Sequence, residues 1–523
     1  MQAESASATV HSIRRSAGRK PTPQQQAIIE AVAYGGDPAV IGIAGAGCGK
    51  TATAKMVAEA LQPGIDARYT AFGRDVVEAA RASLPKNVKA QTMHSIAWRF
   101  AKQSGVGAIE FGWKVPDTRR ALADKIDCGL KDFSHESLIR ATLRNFCQSA
   151  ADTVNSCHVP MDKLRHAIVV SRRKLSIGSL DDIDQRAIEL RPFIVADAMK
   201  LWDRANNPHH WLPVTQEISL KRFALSRFGI ACDLLMFDES QDVSPVMLQI
   251  VMDSIAKGTR VFAVGDPAQS IFGFTGAIDA VPALCAIPGA KRLPLTNSWR
   301  FGSEIAAMAN GVLHYIDGEP LTGVGPCRTQ FDHGDQYTVL SRSNAALIER
   351  ACDLIDSGQD VAMAEGLIES ARKDISAAYD LQAEDFSNHP ELIGLTWDDA
   401  KEYAELLTDN MQRALQLVEK WGDKTPDKLD AIASTAGTRP DEADVFLSTV
   451  HKAKGGEWDQ CLILGGFRLI EFRDGHPPCV RPDEARLAYV AVTRAKTAIA
   501  VEDEWLSAIA DRRLEEKLQW KGI

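Results

Sequence analysis

The chain has 523 residues, of which 45% are hydrophobic and 25% charged, and its formal net charge is −9. A length of this order predicts roughly three or four modules of a soluble globular protein rather than one compact domain. The negative charge excludes a generally basic nucleic-acid coat, and the lack of an apolar run of about 18 residues predicts no membrane span.

The N-terminal segment and the cysteines carry little functional signal. Residues 1–19 are rich in Ser and Ala and vaguely resemble a transit peptide, but they lack the apolar core of a secretory signal. We interpret them as a flexible tail. The ten cysteines form no C-x-x-C pair, and Cys147, Cys157 and His158 match no zinc-ligand spacing. Reduced, buried thiols of a cytosolic protein are therefore expected.

The first element with clear chemistry is a strand, a glycine-rich loop and a helix. The apolar residues 39–43 (AVIGI) predict a buried parallel strand, and residues 51–61 (TATAKMVAEAL) predict a helix. Glycines between them let backbone N–H groups turn toward phosphate oxygens, Lys50 can reach the β- and γ-phosphates, and the Thr51 hydroxyl can bind Mg²⁺. The flanking elements favour this interpretation over a glycine-rich turn with a chance lysine. The predicted nucleotide-binding residues of the loop are Ala44, Gly45, Ala46, Gly47, Cys48, Gly49, Lys50, Thr51 and Ala52.

The next region is mostly helical by pattern, for example residues 137–154 (SLIRATLRNFCQSAADTV). Its one compact basic cluster is residues 171–175 (SRRKL). That cluster is either a solvated helix face or a contact with a DNA backbone.

A pair of carboxylates ends a later strand. Residues 234–237 (LLMF) predict a buried strand, and Asp238 and Glu239 follow it directly. Phosphoryl transfer to water needs one acid for the Mg²⁺ shell and a second acid that orients the attacking water. Such a pair alone is a weak signal, because acids often end strands. Combined with the phosphate loop, it indicates a site that hydrolyses a nucleoside triphosphate.

The remaining segments complete an ordered set of motifs. Together with the loop and the carboxylate pair, these segments resemble the helicase motifs of the UvrD/Rep/PcrA-type branch of superfamily 1. The matching motifs extend from Gln25 to Lys496. SWRFG (298–302) and LPVTQEISLK (212–221) are similar to the F-box DNA helicase subgroup. The segments are 22–26 (TPQQQ), 260–266 (RVFAVGD), 265–277 (GDPAQSIFGFTGA), 295–302 (LTNSWRFG), 448–459 (STVHKAKGGEWD) and 484–496 (EARLAYVAVTRAK).

The resemblance implies a role at the nucleotide for eight residues outside the loop. A loose phosphoryl transition state carries negative charge on its equatorial oxygens, which two guanidiniums can stabilise. If Arg300 and Arg494 lie on a different domain from Lys50, the site is complete only when the domains close. The implied set is Gln25 (adenine), Trp299 (stacking on adenine), Glu457 (ribose), Asp238 (Mg²⁺), Glu239 (general base), Gln269 (γ-phosphate sensor), Arg300 (γ-phosphate) and Arg494 (arginine finger).

The resemblance also implies contacts with DNA through Arg74, His94, Phe274 and His451. Single-strand binding of this type uses stacking platforms and phosphate donors rather than base readout. Phe274 is the expected platform, whereas Phe272 is expected to pack in the core. Arg74 is either a phosphate contact or an ordinary solvated helix start.

Three positions depart from the family pattern. Thr275 occupies the usual place of an arginine that contacts DNA. Ala52 replaces the arginine that flanks adenine, which leaves purine stacking to Trp299. Cys48 replaces a serine; a thiol near a helix N-terminus can have a lowered pKa, although a neutral exchange of small residues is the simpler interpretation.

The resemblance implies an α/β fold with two RecA-like parallel-sheet motor domains, each interrupted by a mainly helical insertion. The second insertion is expected to be small, only some 70 residues. The expected divisions are 1–19 (flexible tail), 20–98 with 206–294 (first motor domain), 99–205 (first insertion), 295–367 with 441–523 (second motor domain) and 368–440 (reduced second insertion).

We therefore expect an ATP- and Mg²⁺-dependent DNA helicase that moves 3′ to 5′ on single-stranded DNA and unwinds tailed duplexes. The family alone implies the polarity. Two alternatives stay open: a single-strand translocase that displaces proteins with little unwinding, and a nucleotide-gated DNA-binding subunit of a larger complex. The expected location is cytoplasmic and nucleoid-associated, in a bacterial, plasmid or phage context, with no membrane partner.

Overall fold

The computed structural model describes nine stretches of the chain. The predicted tail over residues 1–19 lies outside them, as do the side chains of Arg74 and of residues 172–174 in the basic cluster. None of the helices in these stretches combines the length and the apolar character that crossing a bilayer requires. The stretches are 20–71, 73–103, 121–175, 180–207, 215–327, 330–384, 386–435, 438–472 and 476–520.

A six-stranded parallel sheet lies in the part of the chain that ends with β6 at Leu295, which we call the first half; the residues after it are the second half. The spatial order of this sheet is β3-β2-β4-β5-β1-β6. Strands β1 and β4 are buried along their whole length, as expected of strands covered on both faces. Because the strands are parallel, their carboxyl ends share one edge, where ligands of such sheets bind. The strands are β1 (Ala39–Ala44), β2 (Ala67–Thr70), β3 (Val88–Ala90), β4 (Leu234–Asp238), β5 (Arg260–Gly265) and β6 (Lys291–Leu295).

Helices cover this sheet and form the first insertion. The first insertion includes α5 to α7, between α4 and α8, and α5 ends at Gln148 rather than running on through residue 154. Helix α1 begins with a capping box in which Thr22 and Gln25 satisfy each other's backbone N–H groups. The helices are α1 (Pro23–Ala33), α2 (Lys50–Ala60), α3 (Arg74–Ser83), α4 (Met93–Gln103), α5 (Asp132–Gln148), α6 (Met161–Leu175), α7 (Leu180–Asn206), α8 (Gln216–Leu225), α9 (Pro245–Ala256) and α10 (Val281–Cys285).

A five-stranded parallel sheet frames the second half, in the order β10-β11-β9-β12-β15. The predicted fold class, α/β with two parallel sheets and mainly helical insertions, is confirmed. Two short strand pairs, β7 with β8 and β13 with β14, lie outside the large sheets. The strands are β7 (Asn297–Ser298), β8 (Thr322–Gly323), β9 (Tyr337–Ser341), β10 (Val361–Met363), β11 (Val445–Thr449), β12 (Trp458–Ile463), β13 (Ile470–Glu471), β14 (Cys479–Val480) and β15 (Ala495–Val501).

The helices of the second half include those of the second insertion, α13 to α16. Helix α18 is buried almost throughout and faces the first half. The helices are α11 (Ser303–Leu313), α12 (Asn344–Asp356), α13 (Leu367–Glu384), α14 (Trp397–Glu402), α15 (Asp409–Trp421), α16 (Thr425–Ala433), α17 (Val450–Ala453), α18 (Pro482–Val492), α19 (Glu504–Ala510) and α20 (Leu514–Trp520).

Apolar clusters join the halves rather than separating them. One cluster runs from Ala46 in the phosphate loop through Phe301 to Tyr489 on α18. A second unites α6 and α7 with the second sheet and the second insertion. The His166 ring on α6 also hydrogen-bonds the Glu391 carbonyl oxygen at 2.6 Å. The two insertions therefore touch each other as well as their own sheets.

Candidate active site

The phosphate loop connects the carboxyl end of β1 to α2. Gly47 and Gly49 have φ angles of +72° and +81°, in the left-handed region that glycine adopts without a steric penalty. These turns let α2 begin at Lys50, with the positive end of the helix dipole beside it. Thr51 is exposed at this helix end, where its hydroxyl is available to a ligand.

Asp238 ends β4 in the interior of the molecule. The Tyr69 hydroxyl donates to Asp238 Oδ2 at 2.6 Å. Burial, and then the neighbouring charge of Glu239, raises the pKa of Asp238 to about 6. Both causes disfavour the charged carboxylate, so a cation beside Asp238 would stabilise it.

Glu239 has a φ angle of +52°, a left-handed backbone conformation that residues other than glycine seldom adopt. Such a backbone costs on the order of 1–3 kcal/mol and concentrates at functional sites. Gln241 Nε2 donates to Glu239 Oε2 at 2.5 Å. Burial alone would raise the pKa of Glu239, but Lys50 and this hydrogen bond outweigh it and lower the pKa. Glu239 is therefore ionised, as a base that orients water must be.

Thr51 and Asp238 supply oxygen donors suited to Mg²⁺. This ion prefers six oxygens and keeps several waters and substrate phosphates among its ligands. In the stretches that the structure describes, no group of three His, Cys, Asp or Glu residues could hold a metal by itself. One hydroxyl and one carboxylate completed by phosphate and water therefore fit Mg²⁺.

The segment after β6 lies across the phosphate loop. The Trp299 N–H donates to the Gly47 carbonyl at 3.0 Å, and a Cβ at Gly47 would lie 2.6 Å from Arg300 Cβ. The Arg300 guanidinium is held by two residues near β12 and α18: Nε donates to Glu457 Oε2 at 2.7 Å and Nη1 to the Thr493 carbonyl at 3.0 Å. Trp299 is 54% exposed, so its ring is available to a base. Arg300 and Glu457, both predicted to touch the nucleotide, neutralise each other here.

Arg494 is a buried guanidinium that no carboxylate of the described stretches contacts. Its nitrogens donate to the carbonyls of Val490 and Gly456 at 2.9 and 3.1 Å and to Gln269 Oε1 at 3.4 Å. Burial, followed by the charge of Arg300, lowers its pKa to about 10, so it stays charged at neutral pH. A γ-phosphate would neutralise it.

Gln25 lies beside the loop but is engaged within the protein. Its Oε1 accepts from the Thr22 N–H at 3.0 Å, and its Nε2 donates to Thr53 Oγ1 at 3.2 Å. Adenine recognition through Gln25 would have to share or replace these hydrogen bonds. Ala52 is exposed on the first turn of α2, beside Lys50 and Thr51.

Burial determines the protonation state of the Cys48 thiol. Burial, and then the charge of Asp266, raises the pKa of the Cys48 thiol to about 12. The nearby helix N-terminus does not produce a reactive thiolate there. A neutral exchange of small residues explains this position.

Lys454, which sequence reasoning missed, crosses from the second half into the first. Its Nζ pairs with Asp242 Oδ2, donates to the Gln269 carbonyl at 2.5 Å and lies 4.8 Å from the centre of the Phe272 ring. Both side chains of the ion pair are largely buried. The only sequence signal is the place of Lys454 within segment 448–459.

Tyr489, also missed, touches the phosphate loop from α18. Its hydroxyl accepts from the Ala46 N–H at 3.0 Å. A sequence signal exists, because Tyr489 carries the only polar side-chain atom of the otherwise apolar run 487–492. Nothing in the sequence indicates what that hydroxyl contacts.

The predicted DNA residues fall into two places. Phe274, in the short 3₁₀ helix Gly273–Thr275, is 75% exposed, and its ring centre lies 5.2 Å from that of His451. These rings come from opposite halves, and His94 lies on α4. Burial lowers the pKa of both histidines, so each is neutral at physiological pH. Phe272 is half-buried against the core.

Comparison with protein families gives two matches. Residues 24–275 match the family described as "AAA domain". Residues 379–502 match the "UvrD-like helicase C-terminal domain". The first match includes the phosphate loop, the carboxylate pair and Gln269, and the second includes His451, Glu457 and Arg494.

Several curated proteins are similar over long stretches. F-box DNA helicase 1 of Gallus gallus is 28% identical over 94% of this chain and 50% of its own length. F-box DNA helicase protein 1 of Schizosaccharomyces pombe is 24% identical over 92% of this chain and 57% of its own. ATP-dependent DNA helicase UvrD2 of Mycobacterium tuberculosis is 26% identical over 50% of this chain and 46% of its own. The chain thus spans about half the length of the relatives it matches.

The ion pair between Lys454 and Asp242 predicts a large stability effect. Replacing Lys454 by Met leaves a buried carboxylate without its cation, and we expect a loss of about 3–5 kcal/mol in the free energy of unfolding. Adding Asp242→Asn should restore much of it. Urea unfolding measures both. The control is Lys496→Met, which breaks the more exposed pair with Asp459 and should cost about 0–1 kcal/mol. Equal stability of Lys454→Met and the parent would contradict the assignment.

Proposed function

Because this chain belongs to the UvrD-like family of superfamily 1 helicases, we propose that it is an ATP-dependent motor that moves 3′ to 5′ along single-stranded DNA and unwinds duplexes. The observation that carries this proposal is the meeting of groups from both halves in one buried site. Arg494, which precedes β15 of the second sheet, donates to Gln269 of the first half at 3.4 Å, and both Arg494 and Lys50, the first residue of α2, act to lower the pKa of Glu239 at the end of β4.

The proposed hydrolysis uses each group in one role. Lys50 and the loop N–H groups other than that of Ala46, which donates to the Tyr489 hydroxyl, hold the phosphates, and Mg²⁺ bound near Thr51 and Asp238 would compensate phosphate charge. Glu239 orients the attacking water and accepts its proton. Arg494 stabilises the charge that develops on the γ-phosphate oxygens.

Arg300 would join Arg494 only after a local rearrangement. Its guanidinium is bound to Glu457 and to the Thr493 carbonyl, so it must leave Glu457 to meet a phosphate. Glu457 would then be free to accept from a ribose hydroxyl. The two side chains thereby exchange one ion pair for two contacts with the nucleotide.

Motion would arise because both halves contribute to one site. Gln269 of the first half accepts from Arg494 and receives Lys454 of the second half on its carbonyl. Any change at the γ-phosphate that moves these cations changes the distance between the halves. A single strand held by both halves would be gripped alternately, which produces translocation.

The proposed DNA path begins at the aromatic pair of Phe274 and His451. Phe274 presents a largely exposed ring to stack on a base, and His451 supports it edge-on from the other half. His94 and His451, the two histidines predicted to contact DNA, are both neutral, so positive charge for the phosphates must come from other side chains.

A basic cavity of about 270 Å³ between α5, α6 and α8 supplies such charge. Along one face of α5, two arginines precede Gln148 at intervals of four residues. Gln148 Oε1 lies 3.4 Å from where a Cβ of Gly276 would be, so this face leads to the Phe274 loop. We place the continuation of the strand here. The charged lining residues are Arg140, Arg144, Lys163 and Glu217.

The ATP site predicts a selective loss on substitution of Lys50. We expect Lys50→Ala to lower ATP turnover by at least ~10²-fold, because it removes a cation from the developing phosphate charge. Turnover should be measured with single-stranded DNA, single-stranded RNA and duplex DNA in parallel, and single-stranded DNA should stimulate the parent most. Lys55→Ala, on the exposed face of the same helix, is the matched control and should keep parental turnover. A Lys50→Ala protein that hydrolyses ATP as fast as the parent would contradict the assignment of this site.

A second candidate function is displacement of proteins from single strands with little unwinding. The observation that favours it is the small second insertion, which is packed onto α6 through the His166–Glu391 hydrogen bond. Strand separation on duplexes with a 3′ or a 5′ tail, beside release of streptavidin from a biotinylated strand, decides between them. Our proposal predicts unwinding of the 3′-tailed duplex alone. Streptavidin release without strand separation would favour the second candidate.

The aromatic pair predicts a loss of affinity for single strands. Stacking contributes about 1–3 kcal/mol per base, so Phe274→Ala should weaken binding by that amount while ATP binding stays unchanged. Arg144→Ala should instead make affinity less dependent on salt: the negative slope of log affinity against log salt should shrink in magnitude by about 0.7 per lost phosphate contact. Fluorescence anisotropy measures both. Phe386→Ala, an exposed aromatic of the second insertion, is the control. Parental binding by Phe274→Ala would remove this residue from the path.

A further inference from the structure

Tyr489 places a polar atom at a contact between the halves. Its side chain is fully buried on α18, and its hydroxyl accepts from the Ala46 N–H at 3.0 Å and donates to Asp266 Oδ2 at 3.2 Å. Burial, and then the charge of Asp266, raises the pKa of Tyr489 well above its usual value. The hydroxyl therefore stays protonated and keeps Asp266 as its acceptor.

The oxygen that accepts from Tyr489 also accepts from Gln269. Gln269 Nε2 lies 2.6 Å from Asp266 Oδ2, and its Oε1 accepts from Arg494 Nη2 at 3.4 Å. A continuous row of buried hydrogen bonds thus runs from the backbone of the phosphate loop to the arginine of the second half. Its members are Ala46, Tyr489, Asp266, Gln269 and Arg494.

A branch of the same network reaches the base. The Asp266 N–H donates to Gln241 Oε1 at 3.0 Å, and Gln241 Nε2 donates to Glu239 Oε2 at 2.5 Å. Asp266 therefore connects the Tyr489 hydroxyl with both Gln269 and Glu239. Because buried polar groups are costly when unpaired, removing one member disturbs its neighbours rather than only itself.

We propose that the Tyr489 hydroxyl is a positioning group that sets Gln269 and Arg494 relative to the phosphate loop. Tyr489 lies on the helix that leads directly to Arg494, and its hydroxyl is bound to the loop backbone at Ala46. A movement of the loop on nucleotide binding is thereby passed to Asp266 and on to Gln269. This inference rests on the proposed ATPase function, but it concerns a residue to which that function assigns no contact with the nucleotide.

Tyr489→Phe tests the proposal, because it removes one oxygen atom and keeps the ring. Misplacing a catalytic group by about 1 Å can cost on the order of 10²-fold, so kcat for ATP should fall by about tenfold or more. KM for ATP should stay within about twofold, since no nucleotide contact is removed. The control is Tyr337→Phe, a buried tyrosine on β9 whose substitution should leave both constants unchanged. Asp266→Asn keeps the side-chain size but changes the acceptor of the Tyr489 hydroxyl, and it should lower kcat in the same way.

A double-mutant cycle separates positioning from a purely structural role. If Tyr489 acts through Gln269, the Phe substitution should change kcat little in a Gln269→Ala background. An equal fall in kcat in both backgrounds would overturn the proposal, as would a rise in KM at unchanged kcat. These ratios are measured without DNA. Failure of the proposed motor function is measured separately, as absence of stimulation of the parent by single-stranded DNA.

Discussion

The site depends on the buried guanidinium of Arg494, which no carboxylate in the described parts of the chain contacts. Removing such a charge from water costs several kcal/mol unless other groups compensate it. At Arg494 the compensation within the described stretches comes from neutral oxygens, the carbonyls of Val490 and Gly456 and the Gln269 amide. These contacts fix its direction and leave its charge unneutralised. Lys50 acts on Glu239 and lowers its pKa, whereas the charge of Arg494 is left for the proposed γ-phosphate to compensate.

The same few residues connect the nucleotide site to the proposed DNA surface. Lys454 binds Asp242 and the Gln269 carbonyl and lies over the Phe272 ring, and Phe274 follows two residues later. The short loop from Gln269 to Phe274 therefore touches the second half at one end and presents its exposed aromatic ring at the other. Only a few residues of chain therefore separate the Lys454 contact with Gln269 from the ring of Phe274. In the proposed motor, this short loop would carry a change at the γ-phosphate to a base stacked on Phe274.

The sequence predicts the parts of the site that local patterns determine. The phosphate loop, the acids after β4 and the parallel sheets follow from apolar runs, glycines and strand ends, and the fold class is confirmed. Tyr489 and Lys454 could not be assigned partners, because their contacts join segments several hundred residues apart. The pairing of Arg300 with Glu457 is likewise not predictable from the sequence, since 157 residues separate them and the motifs imply only a nucleotide contact for each. The domain boundaries and the role of each site residue stay predictions.

The central claim is that a triphosphate brings the cations of both halves together. A crystal structure of the protein with a non-hydrolysable ATP analogue and Mg²⁺ tests it most directly. We expect nitrogens of Arg494, and of Arg300 released from Glu457, to lie about 2.7–2.9 Å from γ-phosphate oxygens held by Lys50. A bound analogue with Arg300 still on Glu457 and Arg494 distant from every phosphate oxygen would contradict it.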